Sequence, residues 1–139
     1  MVMTKIKRIS VHAQGGMLRH FFPESTLKIV GYDKGLIWEG KIKPSDLSII
    51  YGIRVEYNIG HDPDIYVLSP SPLPLAKDAN RLPHIYNQEK QHLCLYQRHM
   101  NEWSEYKMIA KTIIPWTSEW LLHYEFWVIT GTWHGGGIH

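Results

Sequence analysis

Four short runs of apolar and β-branched residues follow one another in the first half of the chain, at residues 27–33, 36–43, 51–59 and 64–70. Alternation is clearest in the third run, where Ile53, Val55, Tyr57 and Ile59 share one face of a strand. The connectors carry glycine, proline or aspartate and are too short for a crossover, so neighbouring strands must be antiparallel. The pattern therefore predicts a four-stranded antiparallel β-meander.

Helical spacing follows in the second half of the chain. Residues 104–114 open with Ser104, which can cap a helix, and they place four residues on one helical face: Met108, Ile109, Thr112 and Ile113. Pro115 is expected to end this helix and to start another, which Gly131 would stop. In the second helix an aromatic stripe faces the core, made of Trp116, Trp120, Tyr124 and Trp127. A short helix is also predicted at residues 10–20. The fold class is α+β, with the meander packed against helices.

The segment between the meander and the predicted helices is rich in proline. Pro70, Pro72, Pro74 and Pro83 lack amide donors, so we expect a long loop without regular helix or sheet from residue 70 to residue 92. A loop of this length in a compact domain usually has a function.

Composition narrows the functional classes. A length of 139 residues suits a single domain, residues 1–139. Fifteen basic against 13 acidic residues, with one basic cluster at residues 5–8, do not predict a nucleic-acid-binding surface. The chain has neither the apolar core of a signal peptide nor a segment long enough for a membrane helix, and its one cysteine cannot form an internal disulfide. We therefore expect a cytoplasmic protein that does not bind membranes.

The single cysteine, Cys94, allows three interpretations. A cysteine between two leucines is typical of a small buried hydrophobe. In an extended segment, however, Cys94 and His92 would share one face while the leucines point into the core, which would expose a thiol beside an imidazole. A nucleophilic cysteine needs some thiolate, which cationic groups, a helix start or hydrogen bonds can favour, and four basic groups are near in sequence: His84, His92, Arg98 and His99.

A zinc site is the third interpretation of Cys94. Histidine and cysteine are zinc ligands, and His134 and His139 could join them from the tail. The chain contains neither a CxxC pair nor an HExxH motif, so the sequence predicts no metal site.

The order of these parts resembles that of the ubiquitin-conjugating enzyme fold over residues 27–127. The meander is followed by the proline-rich "VLSPSPLPL", by "LPHIYN" where the family has His-Pro-Asn, by "HLCL" with the cysteine, and by "EWSEYKMIAKTI", in which Trp103 precedes the next helix. The chain departs from the family pattern at the motif itself, because "HIY" replaces His-Pro-Asn and His84 lies a little farther from Cys94.

The resemblance implies a ubiquitin-conjugating-like cysteine acyltransferase. Cys94 would accept the C-terminal carboxyl of a partner protein as a thioester and pass it to an amine. His84 and Asn87 are candidates for stabilising the oxyanion or for holding the loop, and a turn-holding role is the commoner one for such an asparagine. The glycine-rich tail would fold over Cys94. The expected partner-binding residues are His92, Trp133 and His139.

The ending "PWTSEWLLHYEFWVITGTWHGGGIH" is similar to the bacterial branch of the family found in anti-phage operons of the CBASS type. That resemblance implies a cGAS-like nucleotidyltransferase as the protein partner. It also implies a separate activating enzyme and no cofactor, because the chain has no ATP-binding glycine loop. Two alternatives stay open: a non-catalytic partner-binding module of the same fold, and a cysteine hydrolase, which would need an oriented histidine beside the thiol.

Overall fold

The computed structural model describes residues 7–135 and contains the predicted meander. Its strands are β1 (Thr26–Val30), β2 (Gly35–Ile42), β3 (Tyr51–Asn58) and β4 (Asp64–Ser69), each antiparallel to the next. In β3 the residues from Tyr51 to Tyr57 alternate between buried and partly exposed, which confirms the predicted face. This face supplies Ile53 and Val55, both fully buried, to the hydrophobic core.

Two further strands extend the sheet beyond the predicted four. They are β5 (Ile85–Asn87) and β6 (His92–Leu93), and the strand order is β1-β2-β3-β4-β6-β5. The prediction that residues 70–92 contain no sheet is therefore wrong for the last part of that segment, where β5 and the start of β6 lie. The last proline of the segment is Pro83, so the residues after it have amide donors for pairing. The link to the meander is the pairing of β6 with β4, where His92 lies opposite Tyr66.

Helix α1 (Val11–Phe21) agrees with the predicted short helix. Ser10 caps it, since its hydroxyl oxygen accepts a hydrogen bond of 3.1 Å from the amide of Ala13. Gly15 has a packing role, because a Cβ at this position would lie 2.6 Å from a methyl carbon of Leu27. The absence of a side chain thus lets α1 approach β1 closely.

The predicted helix at residues 104–114 is absent, and a single 3-10 turn, Ile109–Lys111, lies there instead. Tertiary hydrogen bonds take the backbone groups that a helix would use. Gln14, fully buried, accepts from the amide of Ile109 at 2.9 Å and donates to the carbonyl of Lys107 at 2.9 Å. This side chain therefore binds the segment to α1 in a non-helical conformation.

Helix α2 (Ile113–Thr130) begins before Pro115 and ends at Gly131, which has a φ of +76°. Pro115 does not separate two helices, because it lies in the first turn of α2, where amides have no intrahelical partner. The aromatic stripe is buried as predicted, with Trp116 only partly covered. No helix within residues 7–135 is long and apolar enough to span a bilayer.

Candidate active site

Cys94 follows β6 directly and is almost completely buried, with 9% of its surface exposed. The prediction that it lies at the surface is wrong. Its backbone amide donates to the carbonyl of His84 at 3.0 Å, and its thiol donates to the carbonyl of Tyr96 at 3.5 Å. These bonds hold Cys94 between the residue that precedes β5 and the segment that follows β6.

The thiol nevertheless reaches solvent through a cleft of about 650 Å³. The cleft is lined by basic and aromatic side chains, among them Arg81, His84, Tyr86, Tyr96 and Arg98. A volume of this size fits a short stretch of extended chain, not a folded surface. The space in front of Cys94 can therefore hold a short extended segment or a side chain.

His84 lies on the wall of this cleft and is held through its backbone. Its carbonyl accepts hydrogen bonds from the amide of Cys94 and from the indole of Trp120, the latter at 3.1 Å. Its φ is +49°, a left-handed conformation that is unusual for a residue other than glycine. Two hydrogen bonds to one carbonyl thus maintain a strained backbone next to Cys94.

Asn87, the second residue that the resemblance implicated, has a local structural role. Its side-chain oxygen accepts a hydrogen bond of 2.8 Å from the amide of Lys90, which closes the turn between β5 and β6. Asn87 is exposed and does not line the cleft. This hydrogen bond is the one that the turn-holding role requires.

His92 belongs to a charged cluster beside the cleft. Its Nε2 lies 3.0 Å from a carboxylate oxygen of Asp64, and Arg98 donates to the same oxygen at 2.8 Å. The ring of His92 also stacks on Tyr66, with 4.6 Å between the centroids. Burial raises the pKa of Asp64, but the hydrogen bonds with His92 and Arg98 outweigh it, and the net effect lowers that pKa below its usual value. Asp64 therefore fixes both basic side chains in place.

Tyr86 is a site residue that the sequence analysis did not identify. The centre of its ring lies 4.8 Å from the guanidinium of Arg98 and 4.9 Å from the centre of the His92 ring. Burial, together with a hydrogen bond that joins its hydroxyl to Cys94, raises the pKa of Tyr86 to about 12. The one signal in the sequence was its place as the third residue of "HIY", where the family has asparagine.

The carbonyl that accepts from the thiol is also held firmly. Tyr96 is 5% exposed, and its hydroxyl donates to Asp62 at 2.7 Å. Its ring packs edge-on against Trp116, at 5.3 Å between centroids. The segment after Cys94 is therefore fixed both to the loop before β4 and to α2.

The start of the C-terminal tail packs beside His84. The ring of Trp133 lies 4.8 Å from that of His84 and 5.5 Å from that of Trp120. The tail thus contacts the cleft wall through Trp133. The predicted fold of the glycine-rich tail over Cys94 stays a prediction, because residues 136–139, with His139, lie outside the described residues. Within residues 7–135, no three side chains of the ligand types come together in a way that could hold a metal ion.

These features define an α+β protein whose only cysteine lines a cleft beside a six-stranded antiparallel sheet. Residues 14–139 match the family model described as Type II CBASS E2 protein, and the chain belongs to this family. Membership confirms the resemblance found in the sequence and gives the protein an E2-like role in CBASS anti-phage defence, together with other CBASS proteins. No curated protein matches the chain.

Proposed function

We propose that Cys94 carries the C-terminal carboxyl of a partner protein as a thioester and transfers it to an amine. The observation that carries the proposal is the placement of the chain's one cysteine in a cleft lined by basic residues, in a protein of an E2 family. The partner is a cGAS-like nucleotidyltransferase, and a separate activating enzyme supplies its carboxyl in reactive form.

The reaction has two acyl transfers. In the first, the Cys94 thiolate attacks the activated carbonyl carbon, a C–S bond forms, and the thiolate of the activating enzyme leaves. In the second, the lone pair of an amine attacks the thioester, a C–N bond forms, and the Cys94 thiolate leaves while the ammonium nitrogen loses a proton to water. Both steps pass through a tetrahedral oxyanion.

The low exposure of Cys94 limits the donor. A cysteine that is 9% exposed favours a slender substrate, and the C-terminal residues of a protein in extended form meet that requirement. Arg81 and Arg98 in the cleft lining complement the negative charge that develops on the carbonyl oxygen. The cleft therefore fits the end of a chain and an approaching lysine better than two folded surfaces.

The test incubates the protein with the nucleotidyltransferase, its activating enzyme and ATP, followed by a non-reducing gel. The wild type should give a band that thiol removes, and Cys94→Ala should give none. Cys94→Ser keeps a donor to the Tyr96 carbonyl and should give a thiol-resistant oxyester. Full conjugation by Cys94→Ala with an unchanged unfolding curve would contradict the proposal, as would release of the donor to water alone, which is the behaviour of a hydrolase.

A further inference from the structure

Tyr86 occupies a fixed position at the reacting thiol. The guanidinium carbon of Arg98 lies 4.8 Å from the centre of its ring, and the centre of the His92 ring lies 4.9 Å from the same point. Both of these basic residues are bound to the same oxygen of Asp64, at 2.8 Å and 3.0 Å. Asp64 thus holds the two basic side chains that contact the Tyr86 ring, and these contacts support the ring beside Cys94, to which its hydroxyl is hydrogen-bonded.

Two other donors near the thiol, the Cys94 amide and the Asn87 side chain, are poorly placed to stabilise the oxyanion. The backbone amide of Cys94 already donates to the carbonyl of His84 at 3.0 Å. Asn87 closes the β5–β6 turn and does not line the cleft. Tyr86 lines the cleft, and its hydroxyl is joined to Cys94 by a hydrogen bond. With a pKa of about 12 this hydroxyl keeps its proton at neutral pH and remains a donor.

We propose that the Tyr86 hydroxyl is the donor that stabilises the oxyanion formed on the thioester carbonyl at Cys94. The inference rests on the proposed function and names a further catalytic residue for it. As the amine attacks, the π electrons of the C=O bond move to oxygen, and the hydroxyl donates to that oxygen. When the carbonyl re-forms, the C–S bond breaks and the electrons return to the Cys94 sulfur. The guanidinium of Arg98 adds positive potential next to the same ring.

The experiment separates the oxyanion step from simple access to the thiol. Cys94 is loaded from a short synthetic peptide made as its C-terminal thioester with 2-mercaptoethanesulfonate, and the isolated adduct is then treated with free lysine. Loss of one oxyanion donor lowers such rates about 100-fold, so Tyr86→Phe should lower aminolysis by about that factor. Alkylation of Cys94 by iodoacetamide passes through no oxyanion, so its rate in Tyr86→Phe should differ from the wild-type rate by less than about 3-fold. A merely structural defect would change the alkylation rate strongly.

Tyr106→Phe is the matched control, because Tyr106 is 52% exposed, close to the 46% of Tyr86, and does not line the cleft. It should react like the wild type in both assays. Equal aminolysis by Tyr86→Phe and the wild type, or a comparable loss in Asn87→Ala alone, would overturn the inference and leave the proposed function intact. Failure of wild-type Cys94 to form any thioester, with peptide and with the nucleotidyltransferase, would overturn both.

Discussion

Gln91 is the buried side chain on which the path of the proline-rich loop depends most directly. It is 3% exposed and makes three hydrogen bonds to backbone groups of this region. Its oxygen accepts from the amide of Leu73 at 2.7 Å, and its nitrogen donates to the carbonyls of Val67 and Pro70, each at 3.0 Å. We expect its removal to destabilise the segment that leads to Cys94.

The size of the effect follows from these bonds. Each contributes about 1 kcal/mol net, and the buried amide of Leu73, left without an acceptor, adds about 1 kcal/mol more. Gln91→Ala should therefore lower the free energy of unfolding by about 4 kcal/mol. With a slope of about 2 kcal/mol per molar urea, the unfolding midpoint falls by about 2 M. The assay is urea unfolding followed by the fluorescence of the six tryptophans.

Two companion variants separate the hydrogen bonds from the backbone. Gln91 has a φ of +50°, where alanine is strained and glycine is not, so Gln91→Gly removes the same bonds without that strain. It should still lose about 3 kcal/mol. Gln88→Ala removes one bond, from the amide of Leu82 at 2.8 Å, and should lose about 1 kcal/mol. Losses below about 1.5 kcal/mol in both Gln91 variants would refute the reasoning.

Two other perturbations have defined outcomes. The folded-state pKa of Asp64 is lowered, so its ion pairs stabilise the protein above the unfolded pKa near 4 and lose this contribution as pH falls through the folded value. Asp64→Asn should therefore lower the free energy of unfolding by about 1 kcal/mol at pH 7. In urea unfolding curves this difference from the wild type should vanish near about pH 2, and a difference that stays constant with pH would contradict the reasoning. Trp120→Phe removes the donor to the His84 carbonyl and should lower stability by about 2 kcal/mol and slow thioester formation at Cys94. Trp127→Phe makes the same change in ring size and should slow thioester formation less than Trp120→Phe does. Equal rates of thioester formation in the two variants would contradict the role of the hydrogen bond.

Much of the architecture could be predicted from local pattern. Alternation in residues 51–58 and short polar connectors are enough for antiparallel neighbours, because side chains on a strand point to opposite faces in turn. The buried aromatic stripe of α2 likewise follows from a 3.6-residue period. The order of the proline-rich run, histidine and cysteine was sufficient to indicate the family, and the family match confirms it.

Tertiary contacts decided the rest. Residues 104–112 have helical spacing, yet Gln14, far away in sequence, takes the amide of Ile109 and the carbonyl of Lys107, so the local preference is overridden. Cys94 is paired with the carbonyl of His84, ten residues earlier in the chain. The position of Tyr86 depends on Arg98 and His92, which contact its ring and which Asp64 binds. Such contacts join residues that are distant along the chain, and no local periodicity encodes them.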